Sequence, residues 1–287
     1  MFDFRYHALS LVAVFLALMI GLLLGVAIGD QGLVSSAEQN VRDSLRKDVR
    51  DARAESAGLR KELAERRRFE QAVYPLLVDD RLAGQRIGLI GMGGLPDGAI
   101  RAVRRALENT GGRLSAVGIV REPVAADLVP PAPPRRGAPA GAPDEAAFRR
   151  FGATIGARLV RGREDARVRR SLFESSSGKL EGLTAVVLVR AARDEKAAAA
   201  AQTGAFELGF VDGLVDTGAQ VVGAELTSSE PSQIAWFKDR RVPSVDSIDE
   251  LAGRAALVFA LAGANGAFGV KDSAEALLPT AAGGTGP

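Results

Sequence analysis

The 287 residues carry 37 Lys and Arg against 35 Asp and Glu, a formal charge of +2, with 47% hydrophobic and 25% charged side chains. Such a chain is long enough for an anchor plus one ordinary domain or two small ones, and its charge balance gives no long-range field to draw nucleic acid. Cysteine is absent, which excludes disulfides, thiolate metal sites and cysteine nucleophiles together, and one histidine (His7) with three methionines (Met1, Met19, Met92) leaves few side chains that soft metals prefer.

From Ala8 through Gly29 no side chain is ionisable. A helix over residues 8–29, at about 1.5 Å per residue, reaches roughly 33 Å and crosses a hydrocarbon core of about 30 Å. Ala27-Ile28-Gly29 before Asp30 also resembles a signal cleavage site, but a signal core holds only about 7–15 apolar residues, which favours an uncleaved anchor. Arg5 and the amino terminus precede the span, whereas Asp30 and Glu38 follow it ahead of Arg42, so residues 1–7 are expected in the cytoplasm. The segment Ala255–Ala262 is too short to span again, which predicts a single-pass protein with the rest of the chain outside the cytoplasm. Small residues at Ala13, Ala17, Gly21, Gly25 and Gly29 recur every fourth position and line one face, where a second helix could pack or where they reflect the usual composition of membrane helices.

Residues 35–73 read as a charged helical stalk, opening at Ser35 or Ser36 and ending before Pro75. Leu45, Val49, Ala52, Ser56, Leu59, Leu63, Arg66, Glu70 and Val73 follow alternating spacings of four and three. That is a coiled-coil seam, weakened at Ser56, Arg66 and Glu70; the alternative is a lone helix packed on its own domain.

An α/β body is expected over residues 84–278. Arg86–Met92 reads as a strand, Ala99–Glu108 as a helix and Arg113–Val120 as a strand; Leu183–Val189, Ala197–Asp216, Ala219–Glu225 and Ile248–Leu261 repeat the alternation. Uniformly apolar strands such as Val186-Val187-Leu188-Val189 suit a parallel sheet covered on both faces. Seven of the 13 prolines fall in Pro123–Pro143, so residues 122–144 are expected to form an exposed loop. Helices near 145–160 and 164–175, a turn at Ser175–Gly178 and a disordered tail over 279–287 complete the prediction.

The glycine-rich turn Gly91-Met92-Gly93-Gly94 is the most enzyme-like feature. It lacks the third glycine of a dinucleotide fingerprint, since Pro96 stands there, and reads mainly as a tight strand-to-helix turn. Ligands of open α/β sheets sit beyond the carboxyl ends of the strands, which nominates Gly93, Arg190, Arg193, Glu225 and Thr227 as a possible ligand rim, or as ordinary polar strand ends. Serine hydrolase chemistry is disfavoured, because the only histidine, His7, adjoins the membrane helix and no nucleophile, base and orienting acid come together. Trp236-Phe237 reads as an aromatic anchor for a partner or as a half-buried pair.

The opening Asp3-Phe4-Arg5-Tyr6-His7, running into Ser10-Leu11-Val12-Ala13-Val14-Phe15-Leu16-Ala17-Leu18, resembles the actinobacterial copper transporter family of the copper transport protein B type. Val245-Asp246 and Gly253-Arg254-Ala255-Ala256-Leu257 resemble its C-terminal region, while Gly29-Asp30-Gln31-Gly32-Leu33 departs from its proline-containing turn. The resemblance implies copper efflux or homeostasis at the cell envelope, with an outer-membrane channel as the family's proposed mechanism. A branch of similar proteins implies instead an anchored coiled-coil scaffold in a cell-division complex that regulates peptidoglycan hydrolysis. The residues themselves predict four or five apolar strands separated by helices, which is not the pattern of a spanning barrel.

The sequence thus predicts a non-enzymatic α/β protein: a transmembrane helix, a coiled-coil stalk, then an open, mostly parallel sheet with helices on both faces. It predicts no cofactor, no metal site and no catalytic residue. Its partners are the membrane and either a second copy or a helical membrane protein, with copper entering only through the resemblance.

Overall fold

A computed structural model describes residues 4–29, 33–131, 142–162, 166–193 and 199–279. Asp3, residues 132–141 of the proline-rich segment and the tail from 280 lie outside the described residues. The chain divides into two compact units, Met1–Arg68 and Phe69–Pro287.

In the first unit, α1 (Phe4–Gly29) is one uninterrupted helix. Its stretch Arg5–Ile28 has a mean hydropathy of 3.0 and is long and apolar enough to cross a membrane. Such an all-round apolar helix has no polar face to turn to water, which distinguishes it from an amphipathic surface helix. The charged helix α2 (Leu33–Val78) follows. It begins before Ser35 and continues through Pro75, three residues past the proline at which the sequence predicts its end. Proline forfeits one backbone bond and crowds the preceding turn. In the second unit, Tyr74 and Val78 are buried, and the Tyr74 hydroxyl donates to Ala106 O at 2.9 Å, so tertiary packing holds the last turn.

The second unit is built on a seven-stranded sheet in the order β3-β2-β1-β4-β5-β6-β7. The strands are β1 (Arg86–Met92), β2 (Arg113–Val120), β3 (Phe173–Gly178), β4 (Ala185–Arg190), β5 (Gln220–Ala224), β6 (Ser244–Val245) and β7 (Ala267–Phe268). All neighbours run parallel except β3, which pairs antiparallel with β2. β1 and β2 keep their predicted bounds. The segment read as the end of a helix and a Ser175–Gly178 turn is instead α5 (Ala166–Leu172) followed by β3. A serine-rich strand exposed along five of its six residues carries no apolar periodicity; its polar side chains suit a sheet edge.

Helices cover both faces. α3 (Ala99–Ala106), α8 (Leu251–Leu261) and the end of α2 share one core with Leu89, Val187 and Val222. On the other face α4 (Glu145–Arg161) and α6 (Ala200–Val215) pack with the short α7 (Ile234–Lys238) over Ile90, Val186 and Leu188. Asp144 caps α4 by accepting from Ala147 N at 2.8 Å, which satisfies one of the orphan donors of its first turn.

Glycines set how closely α4 and α6 approach. A Cβ at Gly209 would fall 1.9 Å from Arg149 O, and one at Gly213 2.1 Å from Ala153 O. Reciprocally, a Cβ at Gly152 would fall 2.2 Å from Phe206 O and one at Gly156 2.3 Å from Phe210 O. With backbones in contact, Phe206 stacks on Phe210 at 5.8 Å between ring centroids and meets Phe151 at 6.0 Å. Of the proline-rich loop, Val124 and Val129 are buried, so the part preceding residue 132 is packed onto the body and is not wholly exposed as predicted.

Candidate functional site

The strand order reverses between β1 and β4, since β1 leads outward to β2 while β4 leads the other way to β5. Beyond the carboxyl ends of such a pair lies the crevice where open α/β sheets place ligands. Gly93 leaves β1, Arg190 ends β4 and Glu122 follows β2, so these three arrive at that crevice from adjacent strands. Gly93 has φ +73, which favours glycine, and a Cβ there would lie 2.6 Å from Glu122 Oε2 and push that carboxyl aside. Gly93 N is already used, donating to Val120 O at 3.1 Å. The turn runs on through Pro96 and Asp97 before α3 begins at Ala99, which sets the helix end back from the glycines.

A pocket of about 220 Å³ opens here, lined by Gly93, Glu122, Pro123, Arg193, Ala199 and Thr203. Behind it lies a buried charge cluster that α6 completes. Glu207 is fully buried on α6 and receives Arg190 Nε at 3.0 and 3.2 Å and Arg193 Nη1 at 2.6 Å. Arg193 Nη1 also lies 3.9 Å from Glu122 Oε2. Burial pushes both carboxyls upward, and the neighbouring Glu207 adds to the effect on Glu122, which reaches about 8. Glu207 gathers both guanidinium groups, which offset part of its burial cost, whereas Arg193 Nη1 stands 3.9 Å from Glu122.

Gln233 joins this cluster to a second one. Its Oε1 accepts from Arg190 Nη1, and its backbone N–H donates to Glu225 Oε2 at 2.6 Å. Glu225, 1% exposed after β5, pairs with Lys271 Nζ at 2.8 Å, and that ammonium also donates to Leu226 O and Ser229 O. Asp246, after β6, accepts from Val270 N at 2.9 Å and Lys271 N at 3.1 Å. Thr227 is drawn to Asp249 instead, at 2.7 Å through its amide and 3.0 Å through its hydroxyl. Of the sequence-predicted rim, then, Gly93, Arg190 and Arg193 meet at one crevice, Glu225 adjoins through Gln233, and Thr227 stands apart.

Glu122, Glu207, Gln233 and Lys271 are the partners that sequence reasoning missed. A signal existed for one: Glu207 stands between Phe206 and Leu208 in the apolar stretch Ala205–Val211 of α6, and a buried charge must find a counter-charge. Trp236 is half-buried, with the Arg190 guanidinium 4.9 Å and that of Arg240 4.0 Å from its ring centroid, while Phe237 is fully buried. Among the described residues no group of three or more His, Cys, Asp or Glu is placed to hold a metal ion.

The first unit carries the other predicted residues. Ala13, Ala17, Gly21, Gly25 and Gly29 lie along α1, and the space beside Gly21 and Gly25 is open. Arg5, Tyr6 and His7 occupy the first turns of the same helix, which Phe4 begins. On α2, Leu45, Val49, Leu59 and Leu63 are 47–60% exposed, and Ala52 is exposed beside them. Shallow grooves run along this face, one lined by Leu45 and Val49 and another by Ala52, Ser56, Leu59 and Leu63.

A family model described as "Copper transport outer membrane protein, MctB" matches residues 1–127 and 144–279. Curated proteins named Copper transporter MctB, from Mycobacterium bovis and from two strains of Mycobacterium tuberculosis, are each 33% identical over 133 residues, 44% of this chain. The match spans 40% of the length of these relatives. Since the family model takes in the apolar helix, the charged helix and the described sheet from β1 to β7, the chain belongs to the MctB family.

Proposed function

We propose that this chain is a non-catalytic, single-pass membrane protein of the cell envelope that serves copper efflux or homeostasis as an anchored interaction component and not as the conducting pore. The observation that carries the reading is the family match, which extends from the apolar helix to residue 279 over a sheet that is open and covered by helices on both faces. A lipid-spanning barrel needs closed strands with an apolar outer face, and this sheet has neither. Two buried carboxylates of the site are met by cations, Glu207 by two guanidiniums and Glu225 by Lys271, which supports a structural role for them. α1 is the anchor, and Arg5 in its first turn, ahead of the uncharged stretch, keeps the amino terminus in the cytoplasm and the body outside.

The exposed seam of α2 favours a second reading, a coiled-coil scaffold in a cell-division complex that regulates peptidoglycan hydrolysis. Deleting the gene and scoring copper sensitivity and septation in the same strain separates the two. Copper hypersensitivity restored by the full chain is the expected result. Normal copper tolerance with misplaced or failed septa would overturn the copper reading in favour of the scaffold.

A further inference from the structure

We infer that α2 pairs with the α2 of a second copy as a parallel, in-register two-stranded coiled coil over Leu45–Leu63. The inference deepens the proposed function, since it names the partner of the stalk in that reading. In heptad notation the seam residues Leu45, Ala52 and Leu59 are d positions, and Val49, Ser56 and Leu63 are a positions. The flanks of this seam are divided by charge. The e positions are Arg46, Arg53, Arg60 and Arg67, and the g positions between Leu45 and Leu63 are Asp48, Glu55 and Glu62. In a parallel pair each g side chain faces the e side chain five residues later on the partner helix. Asp48, Glu55 and Glu62 then meet the partner's Arg53, Arg60 and Arg67, and the twofold symmetry repeats every pair.

Other arrangements lose this match. An antiparallel pair sets e against e and g against g, so arginines face arginines and carboxylates face carboxylates. Sliding the helices by one heptad leaves an acid and an arginine without a counterpart at the ends. The pattern is also self-complementary, because one helix supplies both signs, and a second copy is therefore its natural partner. In the single chain Glu62 holds Arg66 at 2.7 Å, but both side chains are more than half exposed, so this weak surface pair can yield to Arg67 of the partner. Arg66 and Glu70 occupy the next d and a positions, which limits the seam to the stretch ending at Leu63. So short a seam is marginal alone. A membrane anchor just ahead of it raises the local concentration and starts both helices from the same surface, which is the parallel geometry.

The absence of cysteine makes disulfide trapping direct. In the full chain in its native membrane, Val49→Cys and Leu63→Cys are each expected to form a homodimeric disulfide on mild oxidation, while Lys61→Cys, on the outer face, forms none. Replacing Arg53, Arg60 and Arg67 with Glu in the Leu63→Cys background should abolish the dimer. Coexpression with a Leu63→Cys chain whose Asp48, Glu55 and Glu62 are Arg should restore it as a mixed dimer. A disulfide only between Val49→Cys and Leu59→Cys chains would prove the pair antiparallel, because antiparallel helices set a positions level with d positions, and equal trapping at Lys61 would mean random collision; either overturns the inference. No trapping at Val49 or Leu63 overturns it as well. Copper tolerance of the same strains reads the proposed function separately.

Discussion

Replacing Gly209 with alanine tests the packing of α4 on α6. On propensity alone the substitution helps, by about 1 kcal/mol in a helix interior. Sterically the new methyl would stand 1.9 Å from Arg149 O and 2.7 Å from its carbonyl carbon, where carbon does not come within 3.0 Å of a neighbour. The contact is backbone, with no flexible end to swing aside, so the helices must part by about 1 Å, enough to forfeit a quarter to a half of the dispersion energy across the gap. Overpacking of this kind costs about 1–3 kcal/mol beyond the propensity gain, or about 2–4 °C in Tm for each kcal/mol in a unit of this size. Trp236, the only tryptophan, packs against Phe237 and under two guanidiniums, so its fluorescence reports unfolding of this layer in the detergent-solubilised chain. Gly204→Ala is the matched control: it lies on the same helix but meets only Arg193 Nη2, at 3.2 Å, and should be neutral or stabilising. A Gly209→Ala protein that melts at or above the parent would refute the close approach.

Three further outcomes follow from the site and the stalk. Burial raises Glu122 to about 8, above its unfolded value of 4.5, so its contribution is fully present below the unfolded value and is lost as pH rises through about 8. Glu122→Gln, which mimics the protonated carboxyl, should match the parent in Tm near pH 5 and exceed it near pH 9; parallel curves would disprove the shift. Arg190→Ala removes one of two counter-charges from fully buried Glu207 and should cost about 3–5 kcal/mol in urea unfolding, with Arg190→Met/Glu207→Leu recovering much of the loss. Gly58→Ala on α2 meets open space and should raise stalk helicity by circular dichroism, consistent with a gain of about 1 kcal/mol.

What the sequence makes legible, and what it hides, divides along physical lines. β1 and β2 read cleanly because apolar runs flanked by glycine are intrinsic to Arg86–Met92 and Arg113–Val120. β6 and β7 are two residues each, β6 laid along β5 and β7 along β6, and no local pattern encodes them. Phe173–Gly178 becomes a strand by pairing with β2, against its serine-rich composition. The same distinction governs the site. Arg190 and Gly93 are visible because strand ends can be counted, but Glu207 reaches Arg190 from a helix, and Lys271 reaches Glu225 across 46 residues. Seventeen positions separate Arg190 from Glu207, and only the packing of α6 over β4 brings them to 3.0 Å.

The proposed role requires α1 to hold the chain in a bilayer with everything beyond it outside the cytoplasm. Protease added to intact spheroplasts expressing the chain with tags at both ends measures this directly. The predicted result is loss of the C-terminal tag with a small N-terminal fragment, containing α1, retained in the alkali-washed membrane. A C-terminal tag protected until the membrane is broken, or a chain that begins after Gly29 and leaves with the soluble fraction, would contradict it.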